Sequence, residues 1–273
     1  MSTRADSLSD GVSDPAPDHV SEPVLASAAG LRHAFFTRKG GVSPAPFDSL
    51  NCGFRDGEPR ANVLENRRRA AAAFGLAGEA LCTLRQVHGR TVARVDAPWA
   101  VGEGPEADAL VTDRPGVVLG VLTADCAPLL FADAEAGVVG AAHAGWRGAL
   151  DGVAEATLDA MAGLGAEAGR TVAAIGPCIQ QESYEVGPEF PQLFRDQDQA
   201  NLRFFRPAAR AGHFLFDLPG YLAARLERAG LAAVAAVARD TCAEAESFFS
   251  YRRACLEGDR RFGSGLSAIA LVD

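Results

Sequence analysis

The sequence predicts an α/β protein built on mixed sheets rather than on one doubly wound parallel sheet. Three observations lead there. Short apolar runs of strand length alternate with longer segments of helical character. Several strand-to-strand steps leave no room for a helix between them, so antiparallel neighbours must be mixed with parallel ones. Neither a GxGxxG dinucleotide fingerprint nor a Walker A loop is present. The chain has 273 residues and is 48% hydrophobic, enough for one large domain or two closely packed halves and too apolar for global disorder.

Taken in order, residues 1–24 are acidic, carry prolines and few large apolar groups, and read as a flexible tail before a single domain over 25–273. Leu31 to Thr37 reads as a strand that runs into the turn Arg38-Lys39-Gly40-Gly41. Asn62 is a candidate cap for the helix LENRRRAAAAFGL, with Gly75 or Gly78 to end it. Leu81 to Val95 divides into two extended pieces around His88-Gly89, and Trp99 to Asp108 is a glycine-rich loop. Gly116 to Thr123 is a buried strand that Pro128 to Ala132 continues or pairs with. Gly137 to Ala142 is a further strand, and Gly148 to Leu164 a helix. Thr171 to Ile175 is a strand ending at Gly176-Pro177-Cys178; Glu189 to Leu193 suits a short helix and His213 to Phe216 a strand. Asp217 caps the helix LPGYLAARLERAG, where Pro219 is tolerated because it sits in the first turn. Val234 to Ala238 and Leu266 to Leu271 are the final strands.

Composition narrows the function classes. A formal charge of -9 gives no electrostatic reason to expect a nucleic-acid partner. The N-terminus lacks the apolar stretch of a secretory signal, and no run is long enough to span a membrane, so the expected location is cytoplasmic. Six cysteines occur without a close CxxC pair, which favours reduced core thiols plus one metal-binding or catalytic thiol over a disulfide framework.

The chemistry-bearing pieces are QVHG at Gln86 to Gly89, TADC at Thr123 to Cys126, and HAGWRG at His143 to Gly148. Two imidazoles and a thiolate suit zinc and leave one tetrahedral position open, where the ion activates water or polarises a substrate group. The spacing alone decides nothing: Cys126 is equally compatible with an inert core thiol, His88 with a turn histidine, and His143 with a satisfied core histidine. Asp125 would face away from Cys126 in an extended backbone, where it would hold a ligand or bond turn amides. Gln86 shares a face with His88 if that piece is extended, and is then a candidate substrate contact.

These pieces belong to an ordered series of blocks: FFTRKGGVSPAPFDSLN from Phe35, RQVHG from Arg85, EADALVTDRPG from Glu106, TADCAPLLFAD from Thr123, AAHAGWRG from Ala141, IGPCI from Ile175, YEVG from Tyr184 and FFSYRR from Phe248. The series resembles the YfiH-like family, also called the multicopper polyphenol oxidase or laccase-domain family, over nearly everything after the tail. The resemblance implies a layered α/β/β/α sandwich with mixed sheets, related to a toxin deamidase. It implies a catalytic zinc on His88, Cys126 and His143. It also implies phosphorolysis of adenosine, inosine, guanosine or methylthioadenosine, with deamination of adenosine in many members. Bacterial relatives are further linked to editing of peptidoglycan precursors. Ala254 to Phe262 departs from the shorter stretch expected there.

Phosphate and nucleoside as partners direct attention to further residues. Arg38, beside a flexible glycine turn, and Arg147 are candidate phosphate ligands, since a guanidinium matches an oxyanion in a planar fork. Asn51 can position a sugar or base, although turn capping is as natural a role. Cys178 is expected to line or pack against the site, and Trp146 and Tyr184 offer faces for a purine. Arg252 and Arg253 are candidates to anchor the C-terminal segment or a phosphate. Glu106 and Asp108 are proton carriers only if their loop folds over the site, and no residue stands out as the general base. Two other classes remain open: a metal-free cysteine amidase with Cys126 as nucleophile, and a non-enzymatic ligand-binding protein. The copper label is disfavoured, because five histidines fall far short of a multicopper oxidase set.

Overall fold

The structure, a computed structural model, describes residues 16–272. Residues 1–15 of the expected tail lie outside the described residues, but the remainder is part of the fold. Strand β1 (His19–Val20) pairs antiparallel with β2 (Leu31–Phe36). The short helix α1 (Pro23–Ala26) buries Leu25 in the central core.

Then follow α2 (Arg60–Ala72), β3 (Leu81–Cys82), β4 (Val92–Arg94), β5 (Ala109–Thr112), β6 (Val118–Thr123), β7 (Ala127–Asp133) and β8 (Val138–Ala144). Helices α3 (Trp146–Asp151) and α4 (Val153–Ala162) precede β9 (Val172–Ile175), β10 (Glu185–Val186) and α5 (Phe190–Arg195). The chain closes with β11 (Phe205–Pro207), β12 (Phe214–Phe216), α6 (Leu218–Arg228), β13 (Ala233–Ala236), α7 (Tyr251–Glu257) and β14 (Gly265–Leu271).

Two mixed sheets form the middle layers, in the orders β1-β2-β14-β6-β3 and β13-β9-β7-β8-β5-β4, and a small sheet β10-β12-β11 stands beside them. Strand alternation sorts the side chains into layers. Phe35, Leu119, Val121 and Ile269 of the first sheet meet Leu110, Leu130, Val139 and Ala174 of the second in an inter-sheet core. Their neighbours Ala34, Phe36, Ala268 and Ala270 point the other way, onto Ala70, Ala71 and Phe74 at the α2 end. On the far side, Leu129, Phe131 and Ala142 pack against Val153, Met161 and Leu222 of α4 and α6. The result is the expected α/β/β/α sandwich with mixed sheets. β7 and β8 are buried along their whole length, which explains why they read as continuous apolar runs without alternation.

Three boundaries differ from expectation. α2 begins at Arg60 behind Pro59, so Asn62 lies inside the helix and donates to Glu58 instead of capping. The expected helix over Gly148 to Leu164 is broken at Gly152, whose φ of 91° closes α3 and opens α4. Most consequentially, β6 and β7 neither continue nor pair. They lie in different sheets, and residues 124–126 carry the chain across from one to the other.

Leu130 is fully buried between the sheets. Leu130→Ala is expected to cost about 2–5 kcal/mol, the range for truncating a packed core leucine, read as a fall in the urea unfolding midpoint.

Candidate metal centre

The crossover between the sheets builds the site. In the antiparallel β7–β8 ladder Ala127 faces Ala144 and Pro128 faces His143, so Cys126, one residue before the ladder, lies beside the end of β8. His88 arrives from the loop between β3 and β4. One ligand atom from each of His88, Cys126 and His143 falls within 4.8 Å of the others. His88 Nε2 is 3.9 Å from Cys126 Sγ, and the two imidazoles meet edge to face with centroids 4.7 Å apart.

Backbone geometry marks the same place. Among the described residues only His88 (φ 62°) and Asp125 (φ 91°) are non-glycine residues with positive φ. Such conformations cost of order 1–3 kcal/mol each and persist where surrounding contacts impose them. Gly145 shows why the HAGW block needs a glycine. A Cβ there would stand 2.9 Å from His88 Cδ2 and 3.0 Å from Cys126 Sγ, inside the space the two side chains share.

Asp108 imposes the His88 conformation. Its carboxylate, with 0% exposure, accepts from the backbone N–H groups of Val87 (3.2 Å), His88 (2.9 Å) and Gly89 (2.7 Å). It also lies 2.8 Å from His143 Nδ1. In the neutral ring, a proton on Nδ1 shared with Asp108 leaves Nε2 as the lone-pair nitrogen, the arrangement in which an outer carboxylate orients a metal-binding histidine. Burial opposes ionisation of Asp108, yet the bonds from His143 and from the turn amides outweigh it and hold the carboxyl below its ordinary value.

The thiol and imidazole are coupled. Burial alone would raise Cys126, but the charge of His143 and hydrogen bonds from both imidazoles bring it down to about 6. Burial would lower His143, but the Cys126 thiolate and Asp108 raise it to about 9. Between those values the metal-free site holds a thiolate beside an imidazolium.

The other predicted residues fare differently. Asp125 is buried in the crossover. It accepts from Thr241 Oγ1 (2.7 Å) and from the Arg252 amide (2.6 Å), tying the C-terminal segment to the crossover. Burial raises its pKa, and those bonds only partly offset the rise. Gln86 exchanges two 2.8 Å hydrogen bonds with the backbone of Leu122, acting as an extra rung on β6. Asn51 caps a turn, bonded to Gly53 and to the Ser264 amide. Arg38 is pinned by Asp48 and the Ala245 carbonyl, and does not line either cavity that reaches His88 and Cys126. Cys178 is wholly buried in the outer core, and burial pushes its thiol up. Arg147 stacks on Trp146 at 4.8 Å. Arg253 holds the carbonyls of Thr241, Cys242 and Phe248, so it anchors the C-terminal segment. Glu106 is exposed and paired with Arg85.

Two cavities flank the trio and share His88, Ala124, Cys126 and Tyr251. One, of about 440 Å³, is walled by Trp146, Tyr184 and Phe190, with Arg147 and Arg252 beside Glu185 and Glu189. The other, of about 600 Å³, includes Phe54, Arg55, Arg67, Thr83, Phe262 and Ser264. Phe262 closes the segment that departs from the resembled pattern, and Arg55 lies over its ring at 4.3 Å. Nothing local in the sequence marks Arg55 and Arg67, and Asp108 has there only the conditional place of a proton carrier.

Two outcomes follow. Asp108→Asn is expected to weaken metal binding roughly 10- to 100-fold, as loss of an outer carboxylate typically does, measured by competition with a chromogenic chelator. In metal-free protein the ultraviolet absorbance of the Cys126 thiolate should appear as pH rises through about 6 rather than 9. The sign follows from linkage. The lowered thiol contributes stability that is lost as pH falls through about 6, and the raised imidazole contributes stability that is lost as pH rises through about 9.

Residues 32–272 match the family described as multi-copper polyphenol oxidoreductase laccase. A protein of Deinococcus radiodurans named purine nucleoside phosphorylase is 45% identical over 234 residues, which span 85% of this chain and 87% of that one. One from Streptomyces griseus, named purine nucleoside phosphorylase ORF3, is 49% identical over 172 residues, 63% of this chain and 69% of its own. The crystal structure of YlmD from Geobacillus stearothermophilus superposes with a TM-score of 0.82 at 31% identity, covering 92% of this chain and 94% of that one. Neisseria meningitidis protein NMB0706 gives 0.80 at 34%, covering 90% and 96%. With the motif blocks, the sandwich and the match over nearly its whole length in agreement, the chain belongs to the multi-copper polyphenol oxidoreductase laccase family, the YfiH-like proteins.

Proposed function

We propose that this protein is a zinc-dependent purine nucleoside phosphorylase of broad purine range, with an accompanying adenosine deaminase activity. The observation that carries the reading is the convergence of His88, Cys126 and His143 at the junction of two cavities. The names of the relatives supply the substrate class.

The donor set fits zinc. A tetrahedral ion with the usual zinc–imidazole and zinc–thiolate lengths holds such donors roughly 3.5 Å apart, close to the 3.9 Å between His88 Nε2 and Cys126 Sγ. Three protein ligands leave a position for substrate or water. Zinc, when bound, supplies a Lewis acid that polarises a substrate group or activates water. The chain's own residues do the rest. Asp108 fixes the ring of His143 and the turn of His88. Trp146, Tyr184 and Phe190 offer faces to the purine in the smaller cavity. In phosphorolysis a phosphate oxygen bonds to the anomeric carbon and the bond from that carbon to the base nitrogen breaks. The electron pair stays on the base, which takes the hydrogen that the phosphate carried. In deamination water replaces the 6-amino group and ammonia leaves.

The copper chemistry of the family description does not fit the histidines. Of the five, His19 and His213 bond neighbouring carbonyls and His33 accepts from the Glu22 amide. Only two remain at the trio, too few for a blue-copper centre and a three-copper cluster. A second reading, a metal-free Cys-His amidase, draws on the lowered Cys126 thiol beside His143.

The test is turnover of adenosine at quantified metal content, with and without inorganic phosphate. Adenine and ribose 1-phosphate are expected when phosphate is present, and inosine when it is absent. Cys126→Ala should lose most of the zinc and at least 100-fold in turnover, roughly the loss of one transition-state contact of about 2.7 kcal/mol. Stoichiometric zinc with undiminished turnover in that variant would overturn the assignment. Full activity on amide substrates in metal-free protein would favour the amidase.

A further inference from the structure

The two cavities that meet at the trio differ in charge. The smaller is lined by Asp125, Glu185 and Glu189 as well as by Arg147 and Arg252. The larger contains Arg55, Arg67 and Arg85 and, among the described residues, no carboxylate.

Arg67 is the anomaly within it. The residue is 3% exposed, and a charge buried to that degree is ordinarily paired. Even the more exposed Arg225, Arg170 and Arg239 meet carboxylates, of Glu155, Asp133 and Glu244. Arg67 instead donates to the Cys52 carbonyl at 3.2 Å and to the Thr83 hydroxyl, and its ion sits 5.4 Å from the Phe54 ring. Its charge is penalised by burial and relieved by no carboxylate among the described residues, while Arg60 adds repulsion. Arg55 repeats the pattern on the open side of the same cavity. It donates to Ser264 Oγ at 2.7 Å, lies over Phe262, and likewise has no carboxylate partner among the described residues. Two guanidinium groups and two hydroxyls thus face one cavity beside the trio, with no anion among the described residues to balance them.

We propose that this cavity is the phosphate subsite, with Arg67 and Arg55 as its charged ligands and Thr83 and Ser264 as hydroxyl ligands. A phosphate dianion supplies the missing countercharge, and the guanidinium fork matches its oxygens. The carboxylates of the smaller cavity would repel that dianion, which leaves the aromatic side for the base. The arginine of the glycine turn, Arg38, has no part in the arrangement. This assignment rests on the phosphorolytic reading for its place in a reaction, but the anion site stands on the charge imbalance alone.

The experiment uses the zinc-loaded full chain and inorganic phosphate as the probe. Wild type, Arg55→Gln, Arg67→Gln and Arg67→Lys are compared by phosphate titration calorimetry and by adenosine phosphorolysis at varied phosphate. Arg55 is accessible, so its variant tests the site even if Arg67→Gln fails to fold; Arg67→Lys keeps the charge and removes the fork. The KM for phosphate and the phosphate Kd should rise roughly 10- to 100-fold in the Gln variants, the size of a lost charge-assisted hydrogen bond. The KM for adenosine should move far less. An unchanged phosphate KM in Arg55→Gln and Arg67→Lys, with phosphorolysis intact, overturns the subsite and leaves the enzyme assignment standing. Phosphate binding that the variants lose, in a wild type that releases no ribose 1-phosphate, upholds the anion site and overturns the phosphorylase.

Discussion

The site depends on one wholly buried carboxylate. Asp108 accepts from three consecutive backbone amides of the turn that carries His88 and contacts the far nitrogen of His143. A carboxylate stripped of water is costly unless its lone pairs are used. Here their use and the placement of two candidate ligands, His88 and His143, are the same set of bonds. The third candidate ligand, Cys126, is placed independently, by the crossover at 124–126, whose positive-φ residue Asp125 is held by Thr241 and the Arg252 amide. The geometry of the trio is therefore set by hydrogen bonds that need no metal to form.

Much of the sandwich was legible in the sequence, for a physical reason. Strands such as β2, β6, β8, β9 and β14 are short apolar runs bounded by turn residues, and buried strands look that way whichever sheet they join. What the runs do not carry is the sheet to which each belongs. The apolar segment before TADC and the one after it are indistinguishable by composition. Only the three-dimensional structure separates them into β6 and β7 on opposite sides of the core.

At the site, the residues legible in the sequence were those whose chemistry is rare. A histidine or a cysteine at the end of an apolar strand stands out, and His88, Cys126 and His143 do lie together. Amides and arginines are ambiguous because the backbone competes for them. Gln86 and Asn51 spend their amides on Leu122, Gly53 and Ser264, and Arg38 spends its guanidinium on Asp48 and Ala245. Conversely, Arg67 lay inside the alanine-rich run of α2, where nothing in the local pattern separates it from Arg68 and Arg69 of the same run, which meet Glu65.

The route of the chain through the crossover has a mechanical consequence. His143 hangs from one sheet, His88 from a loop leaving the other, and Cys126 from the short bridge between them. An ion gripping all three would act as a rivet through the two halves of the sandwich. Shear of one sheet over the other would then be felt as a stretched coordination sphere, and cation occupancy and cohesion of the inter-sheet core would reinforce each other by mass action.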